Sequence, residues 1–202
     1  MKLLSPLQMR GSSETRLRIC RFLENEIEIK RSEIADKMRA LGRRLESGDD
    51  SELLIWIIPR ALACAQRPLR HHPRYGGSGQ AIPGDSKALI LDWVEGIRME
   101  GITSIVTFMH DRDLRCYREI DLGGSDLLGF LGREGFRVCH LPWEDPAHSK
   151  TEWAKKRSRL EQVRKEALAA YDQLAKPILL MCSAGIDRSA PVAAYIWKNR
   201  AR

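Results

Sequence analysis

Toward its C-terminal end the chain carries Cys182-Ser183-Ala184-Gly185-Ile186-Asp187-Arg188-Ser189. The apolar run Ile178-Leu179-Leu180-Met181 before it reads as a buried strand. A helix is expected from about Ala190, with Pro191 in its first turn, where a missing N–H breaks no helical bond. Strand, tight loop and helix make an anion-binding geometry: loop N–H groups turn inward, and the helix N-terminus adds partial positive charge. Gly185 permits the sharp loop. A thiol at the mouth of such a cradle is biased toward its thiolate, the nucleophilic form. Arg188 can offer two parallel donors to phosphoryl oxygens, a match lysine cannot make. Ser189 can donate a hydrogen bond to the sulfur. The chemistry this set suits is transfer of a phosphoryl group to Cys182, with Ser183, Ala184, Gly185, Ile186, Asp187 and Arg188 as the phosphate-binding loop.

The elements that must position this loop are legible in outline. Between Glu14 and Leu45 the apolar residues Leu23, Ile27, Ile34, Met38, Leu41 and Leu45 recur at spacings of three, four and seven, interrupted by Lys30 and Arg31. That spacing predicts an amphipathic helix or helix pair. The polar run Ser47-Gly48-Asp49-Asp50-Ser51 reads as a linker, dividing residues 1–50, a helical extension, from residues 51–202. Beyond it Leu53 to Ile58 suits a buried strand ended by Pro59. Residues 67–83, rich in proline and glycine, read as loop. Tyr75-Gly76-Gly77-Ser78-Gly79 lacks the Gly-Lys-Ser/Thr ending of a nucleotide-binding loop and reads as flexible; His71 and His72 read as surface residues. Helices are expected at about Ser86–Glu100, Asp126–Glu134 and Thr151–Leu174, and strands at Thr103–Met109 and Phe136–Leu141. Alternation of this kind predicts an α/β domain: a central, mostly parallel sheet of four to five strands flanked by helices.

Composition narrows the class without choosing a substrate. At 202 residues the chain has room for one domain and an appendage. No apolar stretch approaches the roughly 18 residues that cross a bilayer, so an integral membrane protein is not expected, and the first ten residues lack the apolar core of a secretory signal. Five scattered cysteines without metal-ligand spacing (Cys20, Cys64, Cys116, Cys139, Cys182) point to a reducing compartment, and a cytoplasmic location is expected. The four besides Cys182 read as packing residues. A formal charge of +7 favours anionic partners of several kinds. The basic run Lys155-Lys156-Arg157-Ser158-Arg159 reads as a solvated helix face, and Arg67, Arg70 and Arg74 as loop solubilisers.

The 182–189 segment resembles the signature of the protein tyrosine and dual-specificity phosphatases, Cys-x5-Arg followed by Ser or Thr. Gly, Arg and Ser/Thr at those offsets from a given cysteine arise by chance on the order of once in a thousand. The resemblance extends from about Leu53 to Trp197, since Trp56-Ile57-Ile58-Pro59-Arg60-Ala61-Leu62-Ala63 is similar to the opening strand and turn of small atypical dual-specificity phosphatases. It implies that fold, a cysteinyl-phosphate intermediate, and no metal or other cofactor. In the family a movable-loop aspartate protonates the leaving oxygen, and Asp145 in Pro142-Trp143-Glu144-Asp145-Pro146 holds the matching position. Asp187 is a rival for that role, because myotubularin lipid phosphatases have an aspartate there; Glu144 is a weaker one. The residue before the nucleophile is usually His in the family and here is Met181. The chain continues only 13 residues past Ser189, where family members add further helices, and the N-terminal stripe is a candidate to cover that part of the core.

The expected substrate is a phosphorylated protein or peptide, first phosphotyrosine and then phosphoserine or phosphothreonine. An RNA 5′ end or a phosphoinositide is the second reading, favoured by basic charge and Asp187. A phosphate-binding module with little turnover is the third, favoured only by Met181.

Overall fold

The computed structural model describes residues 13–201, with side chains from residue 24 onward. The side chains of Cys20 and Leu23, and the first ten residues read for a secretory signal, therefore fall outside what is described here. Helix α1 (Ser13–Glu46) is followed by strands β1 (Leu54–Ile58) and β2 (Leu62–Gln66), helix α2 (Lys87–Met99), strand β3 (Ser104–Thr107), the single-turn helix α3 (Asp111–Leu114), helix α4 (Leu127–Arg133), strand β4 (Arg137–His140), helix α5 (Trp153–Gln173), strand β5 (Ile178–Cys182) and helix α6 (Ser189–Arg200). None of these helices is long and apolar enough to cross a membrane.

The strands form one five-stranded sheet in the order β1-β2-β5-β3-β4. β1 runs antiparallel to β2, and β2, β5, β3 and β4 are mutually parallel. This is the expected mostly parallel sheet flanked by helices, preceded by a helical N-terminal region. The last strand in sequence is the middle strand in space. Its C-terminal end thus opens where neighbouring connections leave in opposite directions, the crevice in which α/β sheets hold ligands.

Strand β2 was not anticipated beyond its first residues. Leu62-Ala63-Cys64-Ala65-Gln66 has small side chains and weak β-propensity, yet every residue is buried. Pairing on both sides, with β1 and with β5, decides its conformation. The hairpin before it turns at Arg60, whose φ is +55°.

Alternation along the strands sends side chains to two cores. Leu62 and Cys64 of β2, Val106 of β3, and Leu180 and Cys182 of β5 share one cluster with residues of α1, α5 and α6. Ala63, Ala65, Ile105, Leu179 and Met181 share the other with residues of α2 and α4. Met181 and Cys182 consequently face opposite sides of the sheet, and Met181 is wholly enclosed by apolar groups.

The N-terminal stripe forms one continuous helix, not a pair. Its Ile34, Ala35, Met38 and Leu41 are buried in the Cys182-side cluster, packed chiefly on α6. Burial of each large apolar side chain contributes about 1.5–3 kcal/mol. Lys30, which breaks the stripe in sequence, lies with its ammonium 5.0 Å from the Trp197 ring centre and 3.0 Å from Glu33. The stem of such a residue covers apolar surface while its head keeps polar partners.

Candidate phosphoryl-transfer site

Strand β5 ends at Cys182, and the chain turns through residues 183–188 into α6. Gly185 has φ +78°. A Cβ there would overlap the terminal methyl of Met38 and lie 3.3 Å from the Ala65 carbonyl oxygen. Glycine is therefore favoured by the left-handed turn, while the Met38 methyl, at the end of a flexible side chain, packs against its bare Cα. The Gly185 N–H donates to Cys182 Sγ at 3.2 Å, so a thiolate at this place would have a backbone donor as well as the nearby start of α6.

Arg188 is 2% exposed. Its Nη1 donates to three acceptors: Asp113 Oδ2 at 2.6 Å, the Phe108 carbonyl at 3.0 Å and the Trp143 carbonyl at 3.1 Å. Nε and Nη2 have no acceptor among the described residues. One edge of the guanidinium is clamped and the other is left with two parallel donors, the arrangement that receives two oxygens of one phosphoryl group. Burial opposes the charge of Arg188, but Cys182 and Asp113 outweigh it, and its pKa is raised. Burial likewise opposes the Asp113 carboxylate, and the Arg188 bond and charge reverse the balance, holding its pKa below the ordinary carboxylate value.

Asp113 is the principal residue that sequence reasoning missed. It sits on α3, a single turn directly after β3, and His110 N–H donates to its Oδ2 at 3.0 Å. A signal existed: residues that follow the C-terminal ends of inner parallel strands gather at the ligand crevice, and His110-Asp111-Arg112-Asp113 follows such a strand.

Two other readings are corrected. Arg67 is no surface solubiliser; it is 1% exposed. Its backbone N–H donates to the carbonyls of Cys182 at 2.9 Å and Ser183 at 3.0 Å. Its guanidinium donates to Tyr117 Oη at 3.2 Å and to the Gly77 carbonyl at 2.9 Å. The Tyr117 hydroxyl in turn donates to the Pro68 carbonyl at 2.6 Å, and burial pushes its pKa up to about 12. The glycine-rich loop is thus tied to the cysteine loop. His71 is also not on the surface: it bonds Gln66, and its ring lies 3.1 Å from where a Cβ of Gly42 in α1 would be. Burial, with the charge of Arg70, lowers its pKa.

Ser189 is fully buried, and its Oγ has no hydrogen-bond partner in the structure. An unpaired buried hydroxyl costs about 1–3 kcal/mol, which marks the position as one kept for something other than packing.

Asp145 lies between β4 and α5. Its Oδ1 accepts from Ala147 N–H at 2.9 Å, and Oδ2 is 3.2 Å from His148 Nδ1. Lys155, Arg157 and Ser158 of the basic run on α5 are exposed, as a solvated face would be, while two other members also hold this loop: Lys156 Nζ donates to the Pro146 carbonyl and Arg159 Nη2 to the Pro142 carbonyl, each at 2.8 Å. Glu144 accepts from Ser149 Oγ at 2.8 Å. Asp187 has no donor to its carboxylate among the described residues. Burial first, and the charge of Asp145 second, raise its pKa.

These parts meet in one cavity of about 70 Å³. Its floor is Cys182, Ser183, Ala184, Asp187 and Arg188, and Asp145, His148, Arg70 and Ser78 complete the wall. The cavity has room for a phosphoryl group. Of the other cysteines, Cys64 and Cys116 are buried and Cys139 is half-buried; burial pushes the Cys64 thiol up. Among the described residues no group of three His, Cys, Asp or Glu side chains is arranged to hold a metal ion. No known family model matches the chain, and no match is found among curated proteins.

Proposed function

We propose that the protein is a cysteine-dependent phosphatase of the tyrosine and dual-specificity phosphatase type, hydrolysing phosphomonoesters through a cysteinyl-phosphate intermediate. The observation that carries this reading is the Arg188 guanidinium, clamped on one edge by Asp113 and two carbonyls, lining one small cavity together with Cys182.

In the first step the Cys182 thiolate attacks phosphorus and the phosphorus–oxygen ester bond breaks. The departing oxygen takes a proton from a carboxyl group. In the second step water attacks the phosphocysteine and loses a proton to the same carboxylate; the sulfur–phosphorus bond breaks, and thiolate and inorganic phosphate result. Arg188 and the loop N–H groups hold the equatorial oxygens throughout, where charge is spread in the transition state. Ser189 Oγ, without a partner in the resting site, is free to donate to the departing sulfur. Met181, facing the opposite core, has no part in this chemistry.

Asp145 is assigned as the acid, from its place in the loop above the cavity and from the resemblance. The raised pKa of Asp187 favours a second reading in which that residue carries the proton. Phosphotyrosine-containing protein or peptide is the leading substrate class, and an RNA 5′ end or phosphoinositide the alternative. The test is metal-free hydrolysis of an aryl phosphate by wild type, Cys182→Ser and Arg188→Lys. Turnover lost in both variants is expected; equal turnover by Cys182→Ser would sink the proposal.

A further inference from the structure

Arg70 is a cation that the chemistry of a single phosphate does not use. It follows Leu69, whose φ of +60° is a left-handed conformation that bulky residues rarely adopt. Its side chain lines the 70 Å³ cavity with Cys182 and Arg188, and its Nε is buried without a hydrogen-bond partner. Of the two arginines on that wall, Arg188 is paired with Asp113, whereas Arg70 makes no ion pair with any described residue. Burial and the like charge of Arg67 lower its pKa and outweigh the attraction of Glu46 and Asp113.

The scissile phosphate does not need it. Three equatorial oxygens offer roughly six lone-pair positions, and the N–H groups of residues 183–188 together with Nε and Nη2 of Arg188 can fill them. The cavity that Arg70 lines adjoins a second one of about 240 Å³, which shares Ser78, Asp145, His148 and Ser183 with it. Arg112 and Arg115 lie on the outer wall, opposite Glu144; neither arginine is in an ion pair with a described residue.

We infer that, besides phosphotyrosine, the site takes a substrate that carries a second phosphate group close to the one that is cleaved, and that Arg70 binds this second group. The inference rests on the phosphatase reading for the identity of the first phosphate. Two kinds of molecule share this chemistry, a diphosphate and a polyol with phosphates on adjacent carbons, and the experiment separates them.

The experiment is calorimetric binding of inorganic phosphate, inorganic pyrophosphate and an inositol 1,2-bisphosphate to the full chain and to Arg70→Gln. Wild type is expected to bind at least one of the doubly phosphorylated probes ~10-fold or more tighter than phosphate, about 1.4 kcal/mol. The tighter of the two identifies the source. Arg70→Gln is expected to bring the ratio to within about twofold of one, since a neutral amide replaces the charged fork. Arg70→Lys, which keeps charge without the fork, should fall between, and it carries the test if thermal unfolding shows Arg70→Gln to be misfolded. No preference in wild type, or a preference that survives the substitution, overturns the inference. Binding does not require turnover. A preference without hydrolysis of aryl phosphate would reject the phosphatase reading and leave the subsite standing, and hydrolysis without preference would reject the subsite alone.

Discussion

Two loops meet over the cavity, and they are built differently. The loop from Cys182 to Ser189 is mostly buried and is braced by four separate elements: Met38 of α1 behind Gly185, Arg67 after β2 under its carbonyls, Asp113 of α3 on Arg188, and the helix α6 that it starts. The loop from Pro142 to Ser149 has only Trp143 buried. Near its start Trp143 is anchored, its carbonyl accepting from Arg188 and its N–H donating to the Phe108 carbonyl; the rest is held by two α5 cations and by turns closed on its own side chains. On the proposed reading the anion cradle is thus fixed by the core before a ligand arrives, which is how a site avoids reorganisation during reaction. Asp145, the proposed proton donor, hangs instead on a segment with few buried residues, the kind that shifts at small energetic cost. Substitutions in the first loop should act on every substrate and also on stability. Those in the second should act mainly on the proton-transfer step.

The largest expected effect lies in the braced loop. Cys182→Ser should lower aryl phosphate turnover by at least ~10⁴-fold, and Arg188→Lys by about 10²–10³-fold, through loss of nucleophile and of bidentate contact. Asp113→Asn sharpens the comparison, because Asp113 touches no substrate. It releases Arg188, so kcat/KM should fall by about 10²-fold and inhibition by inorganic phosphate should weaken with it. Orphaning a buried charge also costs about 3 kcal/mol, read as a fall of several degrees in Tm. The depressed pKa of Asp113 means that its contribution to stability is complete above the ordinary carboxylate value of about 3.9 and is lost as pH falls through the lower, folded-state value. The Tm difference between wild type and Asp113→Asn should therefore be constant near neutrality and close only in acid. An Asp113→Asn protein with wild-type kinetics would mean that the Phe108 and Trp143 carbonyls suffice to orient Arg188.

A smaller effect, of about 10–100-fold in kcat, is expected from removing the proton donor. If Asp145 is the acid, Asp145→Asn abolishes the high-pH limb of the kcat profile and Asp187→Asn leaves it. If Asp187 is the acid, Asp145→Asn only moves that limb to lower pH, because the Asp145 charge that raises the Asp187 pKa is gone. Stability gives an independent reading. A raised folded-state pKa stabilises below the unfolded value and loses that contribution as pH rises through the folded one. Asp187→Asn should then be more stable than wild type at pH 7, with the difference closing toward acid. A lower Tm at pH 7 would show that the Asp187 carboxylate makes contacts that offset its burial.

How far the sequence could be read follows the same division. The strand, tight turn and helix around Cys182, Gly185, Arg188 and Ser189 were legible because they are consecutive in sequence, and local geometry carries spacing into space. The parallel sheet and most helices were legible from apolar periodicity. Asp113, Arg67 and Arg70 were not, since each acts across 75 or more residues or through a loop with no period, and an isolated Asp or Arg looks like any surface charge. Strand β2 escaped because small residues carry little intrinsic preference, and its pairing with β5 comes from 116 positions downstream, as Leu62 opposite Ile178 shows. Lys156 and Arg159 were hidden by composition: a basic run on a helix reads as solvated unless the carbonyls it reaches are known.

The smallest expected effect tests that last point. Lys156→Ala combined with Arg159→Ala removes both donors from the Asp145 loop without touching the cavity. The bonds are at the surface, so the loss in stability should stay below about 1 kcal/mol, too little to disturb the 182–189 loop, which shares no partner with them. Affinity for inorganic phosphate should be unchanged within about twofold. Turnover should fall by roughly 3–10-fold, because the carboxyl group must be held within a few tenths of an ångström of the leaving oxygen to transfer its proton efficiently. A fall in kcat at constant phosphate affinity is the signature of two loops that work together but are built apart. Weakened phosphate binding would show instead that the α5 cations help to shape the anion cradle, through the Trp143 carbonyl that Arg188 also holds.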